Sequence, residues 1–342
     1  MNNTNKVLIG LIVIMASVLI VFLVLIFKEK TKQPITPNQQ QVSNPNQQQV
    51  SKEKKYPSDL QGKVYLSLKN KKTGIVGVYF FDLDKNSLEE VESSSECTII
   101  GGEVKNDKML VSSNCDSENP DVYQIYSDNI KNGGVPITNT PSKFKKEAVW
   151  SNDGSKIAFM TNLDNENFST DFSTKEWMIV VSDLSGNEKL SFNGVLHPFF
   201  SPDNNITLAS MNHGLVLFDI EKNMVKSIFD FGDKVSAATQ IDLSDKKDLL
   251  AISNSITNEI TIFKINSWDV FEMEEIAKIP VTNAYASWPK FAPNDDNYLI
   301  VEELLDNGDI ELIAYDLKTK KRHLIFNLND YEHGELWIND WK

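Results

Sequence analysis

The chain has 342 residues, and 41% of them are hydrophobic, so it can bury a core and is not disordered as a whole. Its formal net charge is −14, and Arg322 is the only arginine. Such a chain repels polyanions and lacks the side chain that best reads phosphates and guanine bases, which argues against nucleic-acid binding. Residues 1–56 carry seven lysines and two glutamates, so the remaining residues carry a net charge of −19.

The N-terminal region has the pattern of a membrane anchor. Residues 1–6 form a short tail, and residues 7–27 are an apolar run without a charge, long enough to cross a bilayer core of about 30 Å as a helix. Lysines follow directly, without a small-residue cleavage site, so we predict an uncleaved single-pass anchor. These lysines mildly favour a cytoplasmic C-terminal side. An anchor followed by a polar tether is the usual build of an exported domain, however, and we expect the domain to be extracytoplasmic.

Residues 28–61 are rich in Gln, Asn and Pro, and Gln-Gln-Gln-Val occurs twice, at 39–42 and 47–50. This composition cannot bury a core, and its prolines stiffen the chain. We therefore predict a disordered linker that holds the following domain, residues 62–342, away from the membrane.

A repeated turn motif organises the rest of the chain. Trp150 ends one short apolar strand, Ser151-Asn152-Asp153-Gly154 supplies turn chemistry, and residues 156–159 begin a second strand. Related segments follow after 50, 43, 48 and 46 residues. They are Phe200-Ser201-Pro202-Asp203, Leu243-Ser244-Asp245, Phe291-Ala292-Pro293-Asn294 and Trp337-Ile338-Asn339-Asp340. This period is typical of the blades of a β-propeller.

We therefore predict an all-β fold, a six-bladed β-propeller, with seven blades as the alternative. Residues 62–92 contain three strands without a preceding turn motif, whereas residues 335–340 repeat the motif with no blade after them. The C-terminal strand is thus expected to become the innermost strand of the first blade and to close the ring, which buries the open edges.

The segment Trp150-Ser151-Asn152-Asp153-Gly154-Ser155-Lys156-Ile157-Ala158-Phe159 resembles the W-S-P-D-G-x-x-I-A-F repeat of TolB-type, WD40-like propellers. The resemblance implies that the domain binds partners or gates access, and that the motif itself is structural. The motif residues are Trp150, Ser151, Asp153, Gly154, Phe200, Ser201, Pro202, Asp203, Trp337 and Asp340.

No catalytic motif is evident in the sequence. It contains no Gly-x-Ser-x-Gly nucleophile elbow, and its four histidines do not have the spacing of a local metal site. We expect no cofactor. The acidic loop Asp164-Asn165-Glu166-Asn167, with Asp171, is a weak candidate for Ca²⁺ because it lacks the glycine and final glutamate of an EF-hand.

Three residues are candidates for binding at one mouth of the channel. His197 and His333 each precede a predicted innermost strand, and Trp288 beside Pro289 could stack on a sugar or peptide. Cys97 and Cys115 are expected to lie nearly opposite one another, either as a disulfide or as two free thiols.

These observations favour a non-enzymatic, membrane-anchored scaffold that binds a protein or peptide partner at the cell envelope. The runner-up is a carbohydrate-active or other hydrolytic propeller with carboxylates converging on the central channel, which makes a glycan the secondary candidate ligand. A purely structural spacer is the third alternative.

Overall fold

The computed structural model describes residues 56–115, 123–127, 136–138, 144–162, 177–193, 196–211, 214–231, 240–254, 257–282, 288–293 and 297–342. The predicted tail and anchor, and residues 28–55 of the predicted linker, lie outside these ranges. Within them, no helix has the length and hydropathy to cross a bilayer.

The described residues form antiparallel sheets whose central strands are buried almost throughout, whereas most of the outermost strands carry many exposed positions. The first two sheets are β1 (Lys63–Asn70), β2 (Val76–Asp82) and β3 (Ser87–Glu92) with β23 (His333–Trp341), and then β4 (Ile99–Lys105), β5 (Lys108–Ser113) and β6 (Gln124–Ser127). The next two are β7 (Lys145–Trp150), β8 (Lys156–Asn162), β9 (Trp177–Asp183) and β10 (Glu188–Asn193), and then β11 (Leu196–Phe200), β12 (Ile206–Met211), β13 (Gly214–Asp219) and β14 (Met224–Asp230). The last two are β15 (Ile241–Leu243), β16 (Leu249–Asn254), β17 (Glu259–Ser267) and β18 (Glu272–Pro280), and then β19 (Lys290–Phe291), β20 (Tyr298–Leu304), β21 (Ile310–Asp316) and β22 (Lys321–Asn327).

Five of these sheets are complete four-stranded propeller blades. The sheet β4–β5–β6 has only three strands in the described residues, and an isolated antiparallel bridge joins Tyr126 of β6 to Pro136. The all-β propeller is as predicted. Of the six predicted four-stranded blades, five are present in the described residues.

The C-terminal strand closes the ring, as the sequence predicts. β23 pairs antiparallel with β1, where Leu66 lies opposite Ile338 and Val64 lies opposite Trp341. An apolar cluster fills each seam between neighbouring sheets, including the seam between the last sheet and the first. Leu336, Ile338 and Trp341 lie in that closing cluster.

The turn motif is a hydrogen-bonded structure. Ser151 Oγ donates to Asp153 Oδ1 at 2.7 Å and accepts from the Lys156 N–H at 2.9 Å. Bonds from Ser155 and Ser151 lower the pKa of Asp153 to about 2. In the second copy, Ser201 Oγ donates to Asp203 Oδ1 at 2.5 Å. The motif therefore fixes the turn between the first two strands of a blade.

The predicted register of the C-terminal motif copy is wrong. Trp341 lies opposite Val64, as Trp150 lies opposite Ile157. The Lys342 N–H donates to the Lys63 carbonyl at 2.9 Å, and the Ser151 N–H donates to the Lys156 carbonyl at 3.0 Å in the same way. The equivalent of Trp150 is therefore Trp341 and not Trp337. Trp337 and Asp340 lie inside β23, and no motif turn begins at either of them.

The predicted linker extends too far at its C-terminal end. Tyr56 is 6% exposed and Leu60 is 1% exposed, and both belong to the closing cluster. The Tyr56 hydroxyl donates to the Leu83 carbonyl at 2.8 Å, and Tyr298 donates to Asp59 at 3.0 Å. Residues 56–61 therefore pack on the propeller because their apolar side chains find a place in its core.

Cys97 and Cys115 form a disulfide, and their Cα atoms are 5.0 Å apart. Cys97 precedes β4 and Cys115 follows β5, so the bond joins the two chain segments beyond the ends of this strand pair. Of the two alternatives that the sequence leaves open, the structure contains the bonded form.

Candidate functional site

The innermost strands β4, β7, β11, β15, β19 and β23 surround a central cavity of about 300 Å³. At or next to the end of each strand, one residue pairs with the second strand of its blade before the turn, and we call it the end residue. The six end residues are Val104, Trp150, Phe200, Leu243, Phe291 and Trp341.

Because side chains alternate along a strand, the residue before each end residue faces the cavity. All six of these residues line it, and we call them the end ring. The end ring consists of Glu103, Val149, Phe199, Asp242, Lys290 and Asp340.

The carboxylates of the end ring join neighbouring blades. Asp340 accepts a hydrogen bond from the N–H of Val104 at 2.7 Å. Glu103 accepts in the same way from Trp150 at 2.6 Å, and Asp242 accepts from Phe291 at 2.9 Å. Each acceptor thus reaches the end residue of the next blade, and these three carboxylates have a structural task.

Lys290 is the cation of the end ring. Its Nζ lies 2.8 Å from Asp242 Oδ1 and 5.6 Å from the centre of the Phe199 ring. Burial lowers its pKa, but Asp242 and Asp340 outweigh burial, so that the pKa is raised and Lys290 stays charged. Asp340 shows the opposite balance, because burial outweighs the attraction of Lys342 and raises its pKa to about 7.

The residues three positions before the end residues in the sequence form a second ring. Its members are Gly101, Glu147, His197, Gln240, Trp288 and Ile338, and all of them except Gln240 line the cavity. Glu147 Oε2 lies 2.5 Å from His197 Nδ1, and the His197 and Trp288 rings meet edge to face with their centres 5.9 Å apart. Contacts thus link the side chains of Glu147, His197 and Trp288 within the cavity.

Backbone irregularities orient two of these side chains. The pairing register shifts between Lys146 and Val149 and again between Leu196 and Phe199. Glu147 and His197 lie at these bulges with φ angles of 52° and 53°, in the left-handed region that non-glycine residues avoid. A bulge redirects a side chain relative to a regular strand, and here the two redirected side chains contact each other.

Glu147 is held as an anion. Burial alone would raise its pKa, but the interactions with His197 and with Lys146, whose Nζ lies 3.2 Å from Oε1, outweigh burial and lower the pKa to about 2. Lys146 also lies over the Trp177 ring, 5.0 Å from its centre. The Glu147 carboxylate therefore remains ionised at any ordinary pH.

His333 does not belong to this group. It is eight residues before Trp341, whereas His197 is three residues before Phe200, and its ring packs against Tyr79 with the centres 4.9 Å apart. The prediction that His197 and His333 share a mouth of the channel is therefore wrong, since β23 begins much farther from its end residue than β11 does.

Arg322 is not among the residues that line the cavity. Arg322 donates to Glu303 at 2.7 Å and to Glu311 at 2.8 Å, which makes it a structural cation on the outer strands of its blade. The candidate Ca²⁺ loop lies outside the described residues. Within those residues, no group of three or more His, Cys, Asp or Glu side chains is placed to hold a metal ion.

No protein-family model and no curated protein sequence matches this chain. Its fold, however, matches many solved structures. TolB from Acinetobacter baumannii matches with a TM-score of 0.60 and 19% identity over 83% of this chain and 67% of that one. A second TolB-like structure, from Agrobacterium tumefaciens, matches with a TM-score of 0.50 and 12% identity over 82% of this chain and 93% of its own. The domain therefore has a TolB-like β-propeller fold.

The TolB-like propeller shares its general fold with proteins of other kinds. The periplasmic gluconolactonase of Pseudomonas aeruginosa matches with a TM-score of 0.51 and 12% identity over 78% of this chain and 82% of that chain. At such identities the similarity shows the fold alone. The function of this TolB-like propeller must therefore be argued from its own cavity.

Glu147 is the site residue that sequence reasoning missed. The sequence indicates His197 and Trp288 because they lie near the starts of inner strands. Distance from the turn motif is a sharper criterion for finding residues that face the cavity. Glu147, His197 and Trp288 each lie three residues before an aromatic end residue. Aligning the repeats at this position would have placed all three in one ring of the TolB-like propeller.

The low pKa of Glu147 predicts a specific pH dependence of stability. A carboxylate whose pKa is lowered by folding stabilises the native state above its unfolded pKa, here 4.5, and loses this contribution as the pH falls toward about 2. The full contribution is about 3 kcal/mol. We expect Glu147→Gln to reduce the fall in unfolding free energy between pH 5 and pH 2.5, as measured by urea denaturation. The same fall in both proteins would contradict this assignment.

Proposed function

We propose that this TolB-like propeller is a membrane-tethered scaffold that binds a protein or peptide partner at the mouth of its central channel. The observation that carries the proposal is the second ring, where Glu147, His197 and Trp288 come from three different blades and meet on one cavity wall. Binding surfaces are commonly built in this way, with a few oriented polar groups beside an aromatic side chain on a rigid frame.

The rest of the chain supports a role at the cell envelope. Residues 7–27 have the sequence of an anchor, and residues 28–55 that of a tether. The disulfide between Cys97 and Cys115 suits an oxidising compartment, which supports an extracytoplasmic domain. The net charge of −19 beyond residue 56 favours a basic partner.

The ring itself is proposed to have six blades. The sheet β4–β5–β6 occupies the position between the first and third sheets, with one apolar cluster against each of them. Its innermost strand also takes part in the bonds between end residues, through Val104 and Glu103. The three-stranded sheet therefore fills a blade position and would make the count six.

The alternative, a glycan-cleaving propeller, requires two free carboxyl groups facing one another. In the end ring, Glu103, Asp242 and Asp340 each accept a backbone hydrogen bond from the next blade. Glu147 in the second ring is bound by Lys146 and His197. Because these carboxylates are already engaged in hydrogen bonds and ion pairs, their arrangement favours binding over glycoside hydrolysis.

The proposal is tested by affinity capture from solubilised envelopes, with the full-length chain as bait. Trp288→Ala and His197→Ala should each reduce recovery of the captured partner by at least tenfold, since a buried anchor at an interface commonly contributes 2 kcal/mol or more. His323→Ala, on the outer strand β22, is the matched control and should capture as the wild type does. Equal recovery with all variants would refute a role for the channel mouth.

A further inference from the structure

We propose that the second ring also activates water for the hydrolysis of small carboxylic esters or lactones, with His197 as the general base and Glu147 as its positioning residue. This activity goes beyond the proposed binding function. It would make the domain an enzyme as well as a scaffold.

The contact between Glu147 and His197 has the geometry of such a pair. A ring nitrogen and a carboxylate oxygen 2.5 Å apart require a proton between them, so His197 Nδ1–H donates to Glu147 Oε2. In the neutral imidazole, this tautomer leaves the lone pair on Nε2, which has no hydrogen-bond partner among the described residues. The Glu147 carboxylate behind Nδ1 thus fixes both the orientation of the ring and the tautomer that leaves Nε2 free to act as a base.

The backbone strain supports a functional role for the pair. Glu147 and His197 are the second-ring residues of consecutive blades, and both have left-handed backbone conformations. Each such residue costs on the order of 1–3 kcal/mol, and strained residues of this kind cluster at active sites and ligand clamps. The backbone strain thus falls on the two residues whose side chains contact each other. A purely structural ring does not require this coincidence.

The chemistry of the cavity wall limits the reaction class. No serine, threonine, cysteine or tyrosine is among the described lining residues, so the wall offers no hydroxyl or thiol nucleophile for an acyl-enzyme intermediate. The end-ring carboxylates Glu103, Asp242 and Asp340 each accept a backbone hydrogen bond instead. Water is then the nucleophile. The addition of water to a carbonyl carbon needs only one base, in contrast to glycoside cleavage. A cavity of about 300 Å³ bordered by Trp288 and Phe199 restricts the substrate to a small ester or lactone with an apolar face.

The proposed step balances without a cofactor. His197 Nε2 takes a proton from water while the water oxygen bonds to the carbonyl carbon, and the carbonyl π electrons move to its oxygen. The tetrahedral intermediate then collapses and breaks the carbon–oxygen bond to the alkoxide. The imidazolium returns its proton to that oxygen. The products are a carboxylic acid and an alcohol, or one hydroxy acid from a lactone.

The test uses the full chain with p-nitrophenyl acetate and δ-valerolactone. The wild type should hydrolyse both faster than buffer does, and His197→Ala should lose at least 100-fold in kcat/KM. Glu147→Gln should lower kcat with little change in KM and should alter the acid limb of the pH–rate profile, which a merely structural role would not do. His323→Ala is the control and should match the wild type.

Hydrolysis no faster than buffer, or undiminished hydrolysis by His197→Ala, would overturn the proposal. Should His197→Ala fail to fold, His197→Gln retains polar volume and must show the same loss. Affinity capture with these variants separates the two hypotheses. Capture that still depends on His197 in a chain without hydrolytic activity would refute the catalytic proposal and leave the binding function standing.

Discussion

Deletion of residues 333–342 is expected to unfold the whole propeller instead of removing a single strand. β23 supplies Leu336, Ile338 and Trp341 to the closing cluster, and each of them is 1–2% exposed. Burial of a large apolar side chain contributes about 1.5–3 kcal/mol. The loss of three such side chains therefore approaches the entire stability of a typical domain, about 5–15 kcal/mol. The deletion also removes Asp340, which accepts the N–H of Val104 in the next blade.

Circular dichroism and limited proteolysis of the detergent-solubilised full chain measure this effect. The truncated chain should show no cooperative thermal transition and should be cleaved throughout the propeller under conditions in which the wild type resists. Glu335→Gln is the control, because it lies on β23 but alters only an exposed ion pair with Lys69 of β1, so little change is expected. A truncated chain that melts cooperatively within a few degrees of the wild type would contradict closure by β23.

Replacement of Asp242 by alanine is expected to lower the unfolding free energy by about 3–5 kcal/mol. Its carboxylate is the ion-pair partner of Lys290, at 2.8 Å, and also accepts the N–H of Phe291, at 2.9 Å. Both groups lie in the channel wall, so the change leaves a buried ammonium without its partner and a backbone donor unsatisfied. Removing one partner of a buried pair costs far more than the pair itself contributes.

Urea denaturation of the two single variants and the double variant tests this prediction. Lys290→Met in the Asp242→Ala background should recover much of the loss, because the uncompensated charge is then gone. Asp245→Ala is the matched control, since this side chain is 44% exposed and should change stability by less than about 1 kcal/mol. Equal effects of Asp242→Ala and Asp245→Ala would show that the end ring does not hold the blades together.

The fold could be predicted from the sequence because its determinants are local. The turn at Ser151-Asn152-Asp153-Gly154 is closed by side-chain hydrogen bonds within six residues, and the apolar strands beside it recur with the blade period. A repeated local pattern of this kind defines a blade before any long-range contact is considered. The same logic predicts ring closure, because an unpaired first blade and a spare last strand complete one another.

The register at the closure could not be read in the same way. Trp337 and Trp341 both lie near the C-terminus, but only Trp337 follows an apolar residue and precedes a match to the turn motif. The pairing of β23 with β1, which includes an irregularity between Tyr65 and Leu66, decides in favour of Trp341. This pairing joins segments about 270 residues apart, so nothing local to the motif encodes it.

The site was predictable in part for a similar reason. Position in the repeat places Glu147, His197 and Trp288 in one ring, and this information is present in the sequence. The 2.5 Å contact between Glu147 and His197 depends on two bulges with left-handed residues, and neither residue type favours that conformation. Strained local structure of this kind is imposed by the surrounding blades, so local preference could not reveal it.

The proposed binding surface for the partner is the channel mouth at the second ring. Site-specific photo-crosslinking in intact cells tests it most directly, with p-benzoylphenylalanine replacing Trp288 or, as the control, His323 on the outer strand β22. A discrete crosslinked partner is expected from position 288, and none from position 323. Crosslinks of equal yield from both positions, or from position 323 alone, would contradict it and move the binding surface away from the channel.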